Sequence, residues 1–178
     1  PLEGIVISER HAERLEVAGA GARRGVILHK LMEEFLTGEL AGQLEPAVSR
    51  ARELLDQLIS EADDDEPRPD PNEMGAAALR GFALPQIAEL RPHLVPEIAI
   101  WGRDEVGLVA GRADALAIIE GRADAVIDWK SDVNPTPAVR EAHVRQLRDY
   151  LSATGAERGA VVYLTSGEQL AVWTSGDG

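Results

Sequence analysis

"VIDWKSD", residues 126–132, sets an acid, Asp128, and a base, Lys130, inside a run of strand-forming residues. Alternate side chains of an extended chain point to opposite faces, so Asp128 and Lys130 share one face while Trp129 turns to the other, towards a core. Upstream, "GLVAGRADALAIIE" (107–120) and "LVPEIAIWG" (94–102) are also short runs rich in Val and Ile, separated by Gly or charged turns. Three strands joined by links this short predict an antiparallel meander.

Downstream, "PAVREAHVRQLRDYLSATG" (137–155) has Val139, Val144, Leu147 and Leu151 at helical spacing, and "GAVVYLTSG" (159–167) returns to strand character. A helix between two strands allows a crossover to a fourth strand, and "EQLAVWT" (168–174) reads as one more. The N-terminal half is helical. Residues 21–37 place Val26, Leu28, Leu31, Met32 and Phe35 on an apolar stripe that stops before Gly38. Residues 45–62 repeat the pattern with Val48, Leu54, Leu55, Leu58 and Ile59. "DDDEPRPDPNE" (63–73) concentrates acids and prolines and predicts a solvated loop, after which a weaker helical pattern runs from Met74 to Ile87 and ends at Pro92. The order of helices, three strands, a helix, then one or two strands predicts an α/β sandwich.

Composition narrows the chemistry. The 178 residues suit one domain with a real core. The chain has no Cys, which excludes disulfides, thiolate zinc sites, cysteine nucleophiles and iron-sulfur clusters. A formal charge of −13 works against a module that must hold nucleic acid alone, because phosphate contacts come from Lys and Arg. No apolar run approaches a membrane span, and the N-terminus lacks a basic stretch followed by an apolar one, so a soluble, intracellular protein is expected. The start at Pro1 and the tail "TSGDG" read as those of a domain excised from a longer polypeptide.

Charged residues inside strands need either solvent or a partner. Asp114 lies midway along its strand, and a hairpin with the next strand brings its carboxylate towards Asp128. Two converging carboxylates repel. A divalent cation with a taste for hard oxygen ligands, Mg²⁺ or Mn²⁺, is the usual remedy. Such an ion lowers the pKa of a water and polarises a phosphoryl oxygen, while Lys130 orients that water or neutralises developing charge. The bland alternative is a solvated Asp–Lys pair on an exposed edge. His29 on the first helix is a further candidate ligand, although a lone helical His is more often a surface or core residue. Glu97 in the first strand is equally ambiguous by itself. Gln146 and Tyr150 are four apart and share a face of the late helix, as plain amphipathic decoration also would.

Taken in order, "RGVILHKLMEEF", "VPEIAIWG", "VAGRADAL", "AVIDWKSD" and "QLRDYL" resemble the nuclease domain of the RecB and AddA type, a branch of the PD-(D/E)XK nuclease superfamily. The resemblance spans residues 24 to 173. It implies a restriction-endonuclease-like core: a central mixed sheet of four to five strands flanked by helices, with a helical region over about 1–92 and a catalytic core over about 93–174 of a single nuclease domain. It implies that His29, Asp114, Asp128 and the backbone carbonyl of Trp129 ligate one or two Mg²⁺ or Mn²⁺ ions. Lys130 is then the catalytic lysine, Glu97 an accessory acid, and Gln146 and Tyr150 line the site. The implied protein is a bacterial, cytoplasmic deoxyribonuclease, exonucleolytic, carried at the C-terminus of a UvrD/Rep-like helicase chain. Its partners would be DNA delivered as a single strand, the helicase domains of that chain and a second helicase-nuclease subunit.

Two departures stand out. Ala113 and Ala115 flank Asp114 where the family often has a large apolar residue and an Arg, so a basic contact to DNA is missing there. The Cys residues that hold an iron-sulfur cluster in some relatives are absent, which points to the cluster-free branch. Positive charge near the site is expected only at Arg103, Arg112, Lys130, Arg140, Arg145 and Arg148. A catalytically inactive module of the same fold, kept for architecture or partner binding, is the alternative reading.

Overall fold

The structure, a computed structural model, describes residues 21–60, 68–103 and 108–174. Helices α1 (Ala22–Thr37), α2 (Leu44–Ser60), α3 (Pro71–Phe82) and α4 (Pro85–Leu90) come first, followed by a 3₁₀ turn, Arg91–His93. Strands β1 (Leu94–Arg103), β2 (Leu108–Ile119) and β3 (Arg122–Lys130) follow, then helix α5 (Pro137–Thr154) and strands β4 (Arg158–Tyr163) and β5 (Glu168–Trp173). They build one mixed sheet of order β1-β2-β3-β4-β5, in which only the β3–β4 pairing, the one spanned by α5, is parallel. Helices α1–α4 cover one face and α5 the other, giving an α/β fold with two cores. On the first face Ile27, Leu28, Leu31, Met32, Met74 and Ile87 pack on Ala115, Ile127, Trp129 and Val162. On the second, Leu147 and Leu151 of α5 pack on Val126, Val161 and Tyr163.

The helical half departs from expectation in three places. The stretch 63–73 is not all loop: Pro71, Asn72 and Glu73 form the first turn of α3, because Asp70 accepts the backbone N–H of Asn72 and proline is preorganised at a helix start. Most of the acidic run lies outside the described residues. The single helix read over Met74 to Ile87 is two helices, broken at Leu84 because Pro85 cannot continue α3 and instead opens α4. On α1, Val26 is exposed and Ile27 is buried, so the apolar stripe runs one position later than Val26 indicates. Gly38 closes α1 with φ 79°, the left-handed conformation that glycine takes without steric cost.

Helix α5 sits close on the sheet at Gly159. A Cβ there would lie 2.8 Å from the carbonyl oxygen of Val126 and 3.0 Å from Leu147 Cδ1. Gly159→Ala is therefore expected to push α5 off β4 and destabilise the fold by about 1–3 kcal/mol. A thermal melt checks this, and an unchanged Tm would mean that the helix has room to spare.

Candidate active site

Strands β2 and β3 pair from Ile119↔Arg122 to Ala115↔Ile127, and no rung joins them beyond that point among the described residues. They part there. The Trp129 N–H, left without a ladder acceptor, donates instead to Asp114 Oδ2 at 2.7 Å. In the same place β1 and β2 change face. Leu94, Ala115 and Ala117 belong to the core under α1–α4, whereas Ile98, Ile100 and Ala113 belong to the core under α5. Regular alternation would keep Ala113 and Ala115 on one side. The break falls on the rung between Pro96↔Ala115 and Ile98↔Ala113, which sets Glu97 opposite Asp114, and Glu97 holds φ 55°. A left-handed backbone at a non-glycine residue costs about 1–2 kcal/mol. That strain puts two carboxylates at the fork where the strands diverge.

The site gathers at this fork from both layers. From α1, His29 Nδ1 lies 3.2 Å from Asp114 Oδ1. Ligand atoms of His29, Glu97 and Asp114 all lie within 4.8 Å of one another, a spacing suited to one cation. From β3, buried Asp128 turns to the α5 side, with Oδ2 2.9 Å from Lys130 Nζ. Lys130 Nζ also donates to Gln146 Oε1 at 2.9 Å, and Gln146 Nε2 donates to the Tyr150 hydroxyl at 3.1 Å. Tyr150 lies against Gly111, where a Cβ would come 3.0 Å from its ring. The glycine three residues before Asp114 is therefore what lets the tyrosine reach the strand. Trp129 is buried in the opposite core. The candidate ligands and catalytic residues read from the sequence, His29, Glu97, Asp114, Asp128, Lys130, Gln146 and Tyr150, thus surround one fork, with Glu97 closer to Asp114 than its sequence position could indicate. Asp128 stands beside Lys130 rather than within the His29–Glu97–Asp114 group.

Electrostatics follow from burial at close quarters. Desolvation by itself would raise the Asp114 pKa, but the His29 imidazole beside it and the Lys130 charge hold it below the ordinary carboxylate range. Burial depresses His29, and the charge and hydrogen bond of Asp114 more than offset it, leaving the imidazole pKa raised. Asp128 is pushed up to about 7, by burial first and by repulsion from Asp114, against the pull of Lys130. Its Oδ2 accepts no well-aligned hydrogen bond despite full burial. A buried carboxylate whose ion pair with Lys130 is poorly aligned, and which feels both Asp114 and His29, fits a divalent cation that would hold Asp128 ionised.

Sequence reading named the arginines near the site but not their partners, and it missed His143, Tyr163 and Asp132. Arg112 donates to Glu97 Oε2 at 2.9 Å and orients that acid. Arg140, expected near DNA, is engaged by Glu168. The side chain of Arg103 lies outside the described residues. Arg140, Arg145 and Arg148 line a recess on the outer surface of α5 that contains none of the site residues. Behind Lys130, buried His143 Nδ1 meets the Tyr163 hydroxyl at 3.1 Å, and His143 Nε2 lies 4.0 Å from buried Asp132.

Burial, with the nearby charges of Lys130 and Arg140, lowers the His143 pKa from 6.5 to about 4. Between these values the unfolded His143 binds more protons than the folded one, so its contribution to stability falls as pH drops from 6.5 towards 4. His143→Gln is expected to flatten that part of the stability curve. Denaturant midpoints of both proteins at neutral and acid pH test it, and identical slopes would rule it out.

Comparison with known proteins agrees with this geometry. The sequence profile of the PD-(D/E)XK nuclease superfamily matches residues 8–172. No curated protein matches the chain. Among solved structures, the crystal structure of SSO0001 is similar at 22% identity, covering 85% of this chain and 77% of that one, with a TM-score of 0.39. That likeness is too remote to inform the chemistry.

Proposed function

The chain belongs to the PD-(D/E)XK nuclease superfamily, and on that footing we propose that it is a metal-dependent deoxyribonuclease whose reaction is phosphodiester hydrolysis. One observation carries the reading: His29, Glu97, Asp114, Asp128 and Lys130 meet where β2 and β3 part, with Lys130 as the cation beside the buried Asp128 carboxylate. His29, Asp114, Asp128 and the carbonyl of Trp129 are the residues that would hold Mg²⁺ or Mn²⁺, with Glu97 as an accessory acid. When bound, the ion supplies Lewis-acid polarisation of the phosphate and a water of lowered pKa.

The chain's own groups do the rest. Lys130, held by Asp128 and Gln146, presents a fixed positive charge to the developing negative charge on phosphate. Gln146 and Tyr150 form a polar chain that keeps the ammonium from swinging away. Tyr150 stays protonated, its pKa raised by burial and by Asp128, and so remains a hydrogen-bond donor.

The finer reading rests on the ordered motifs. They support a RecB/AddA-type domain, a single unit with a helical part over about 1–92 and a catalytic core over about 93–174. It would be part of a bacterial, cytoplasmic helicase chain that processes DNA ends exonucleolytically in double-strand break repair, alongside a second subunit. The net charge of −13 supports delivery of the strand by a helicase rather than capture by this domain alone. Among the described residues no helix is long and apolar enough to cross a membrane. The test is digestion of an end-labelled single-stranded oligonucleotide with Mg²⁺, Mn²⁺ or chelator. Metal-dependent release of short products supports the reading. Intact substrate at high protein concentration, with and without a helicase partner, contradicts it.

A further inference from the structure

We propose that Arg24 is a positioning residue of this centre, a buried clamp that fixes the helix carrying His29 against the strand carrying Asp128 and Lys130; the proposal rests on the nuclease reading above. Arg24 is 4% exposed, and all three nitrogens of its guanidinium donate hydrogen bonds. It donates to Glu73 Oε1 at 2.6 Å and Oε2 at 2.8 Å, to Thr165 Oγ1 at 2.8 Å, and to the carbonyl oxygen of Ser131. These acceptors come from three directions: the first turn of α3, the residue directly after Lys130, and the segment following β4.

The clamp sits where it can govern the fork. Arg24 and His29 are five residues apart on α1, about 7.5 Å along the axis. Gly25 brings the same helix so close to β3 that a Cβ there would lie 3.2 Å from Ser131 Oγ. The end of β3 is held from its other side as well, where the Leu164 N–H donates to the Lys130 carbonyl oxygen at 3.0 Å. Loosening Arg24 frees α1 to slide along the sheet, and a shift of about 1 Å is enough to spoil a catalytic geometry. The 3.2 Å approach of His29 to Asp114 would be the first contact to open. A planar guanidinium can bind a carboxylate with two parallel hydrogen bonds and still donate sideways, whereas the three donors of a lysine ammonium radiate from one nitrogen and do not reproduce that fork.

Arg24→Lys and Glu73→Ala test the clamp in the full chain. Glu73 is partly exposed, so its removal spares the core even if the arginine variant fails to fold. Three quantities are read: melting temperature, affinity for Mn²⁺ alone by titration calorimetry, and kcat and KM on a labelled oligonucleotide. The expected result is a loss of about tenfold to a hundredfold in Mn²⁺ affinity and kcat, as for supporting groups of metal sites. KM should stay within about twofold, because no substrate contact is removed. Variants that melt earlier yet bind Mn²⁺ and turn over like the wild type would overturn the clamp while leaving the nuclease reading intact. A wild-type chain that neither binds Mn²⁺ nor cuts DNA would overturn both.

Discussion

Asp128→Asn is expected to abolish cleavage while leaving the fold intact. The side chain is buried and its carboxyl is pushed up to about 7 by burial and by Asp114, so a neutral isostere relieves repulsion instead of leaving a gap. The melting temperature should stay close to the wild type, because relief of the repulsion with Asp114 offsets the lost ion pair with Lys130. Activity should fall by about a hundredfold or more, since even groups that only support metal ligands cost up to that much. Cleavage assays on the variant, with a melt run in parallel, decide it. A folded Asp128→Asn protein that still cuts DNA would remove Asp128 from the site.

Lys130→Ala should separate metal binding from catalysis. Removing one preorganised cation next to the developing charge is expected to lower kcat on the order of a hundredfold to a thousandfold. The same change leaves Asp128 buried without its ion partner, which costs about 3 kcal/mol or more in stability. A divalent cation would take over the pairing, so Mn²⁺ should raise the melting temperature of Lys130→Ala more than that of the wild type. An equal or smaller Mn²⁺ shift would mean that Asp128 and the metal do not meet.

The strands and α5 could be read because their cues are local: Val and Ile runs closed by Gly, and a helical repeat closed by Gly155. Pro71 and Pro85 misled the same reading, because a proline that ends one helix also suits the first turn of the next, and the cap that decides between them is an aspartate at Asp70 or a bare Leu84. Strand alternation correctly separated Asp128 and Lys130 from Trp129. It had no means of finding the switch of face at Glu97, whose positive φ leaves no mark in an otherwise ordinary strand. Arg24 was hidden for another reason. Its partners are 49, 107 and 141 residues away, so only the tertiary fold brings them together.

The most direct test of the account is calorimetric titration of Mn²⁺ into the wild-type chain and into Asp114→Ala, without DNA, because the acidic surface does not oppose a cation. Saturable binding by the wild type, lost in the variant, is the expected result. No binding by the wild type, or equal binding by both, would contradict a metal centre at the fork of β2 and β3.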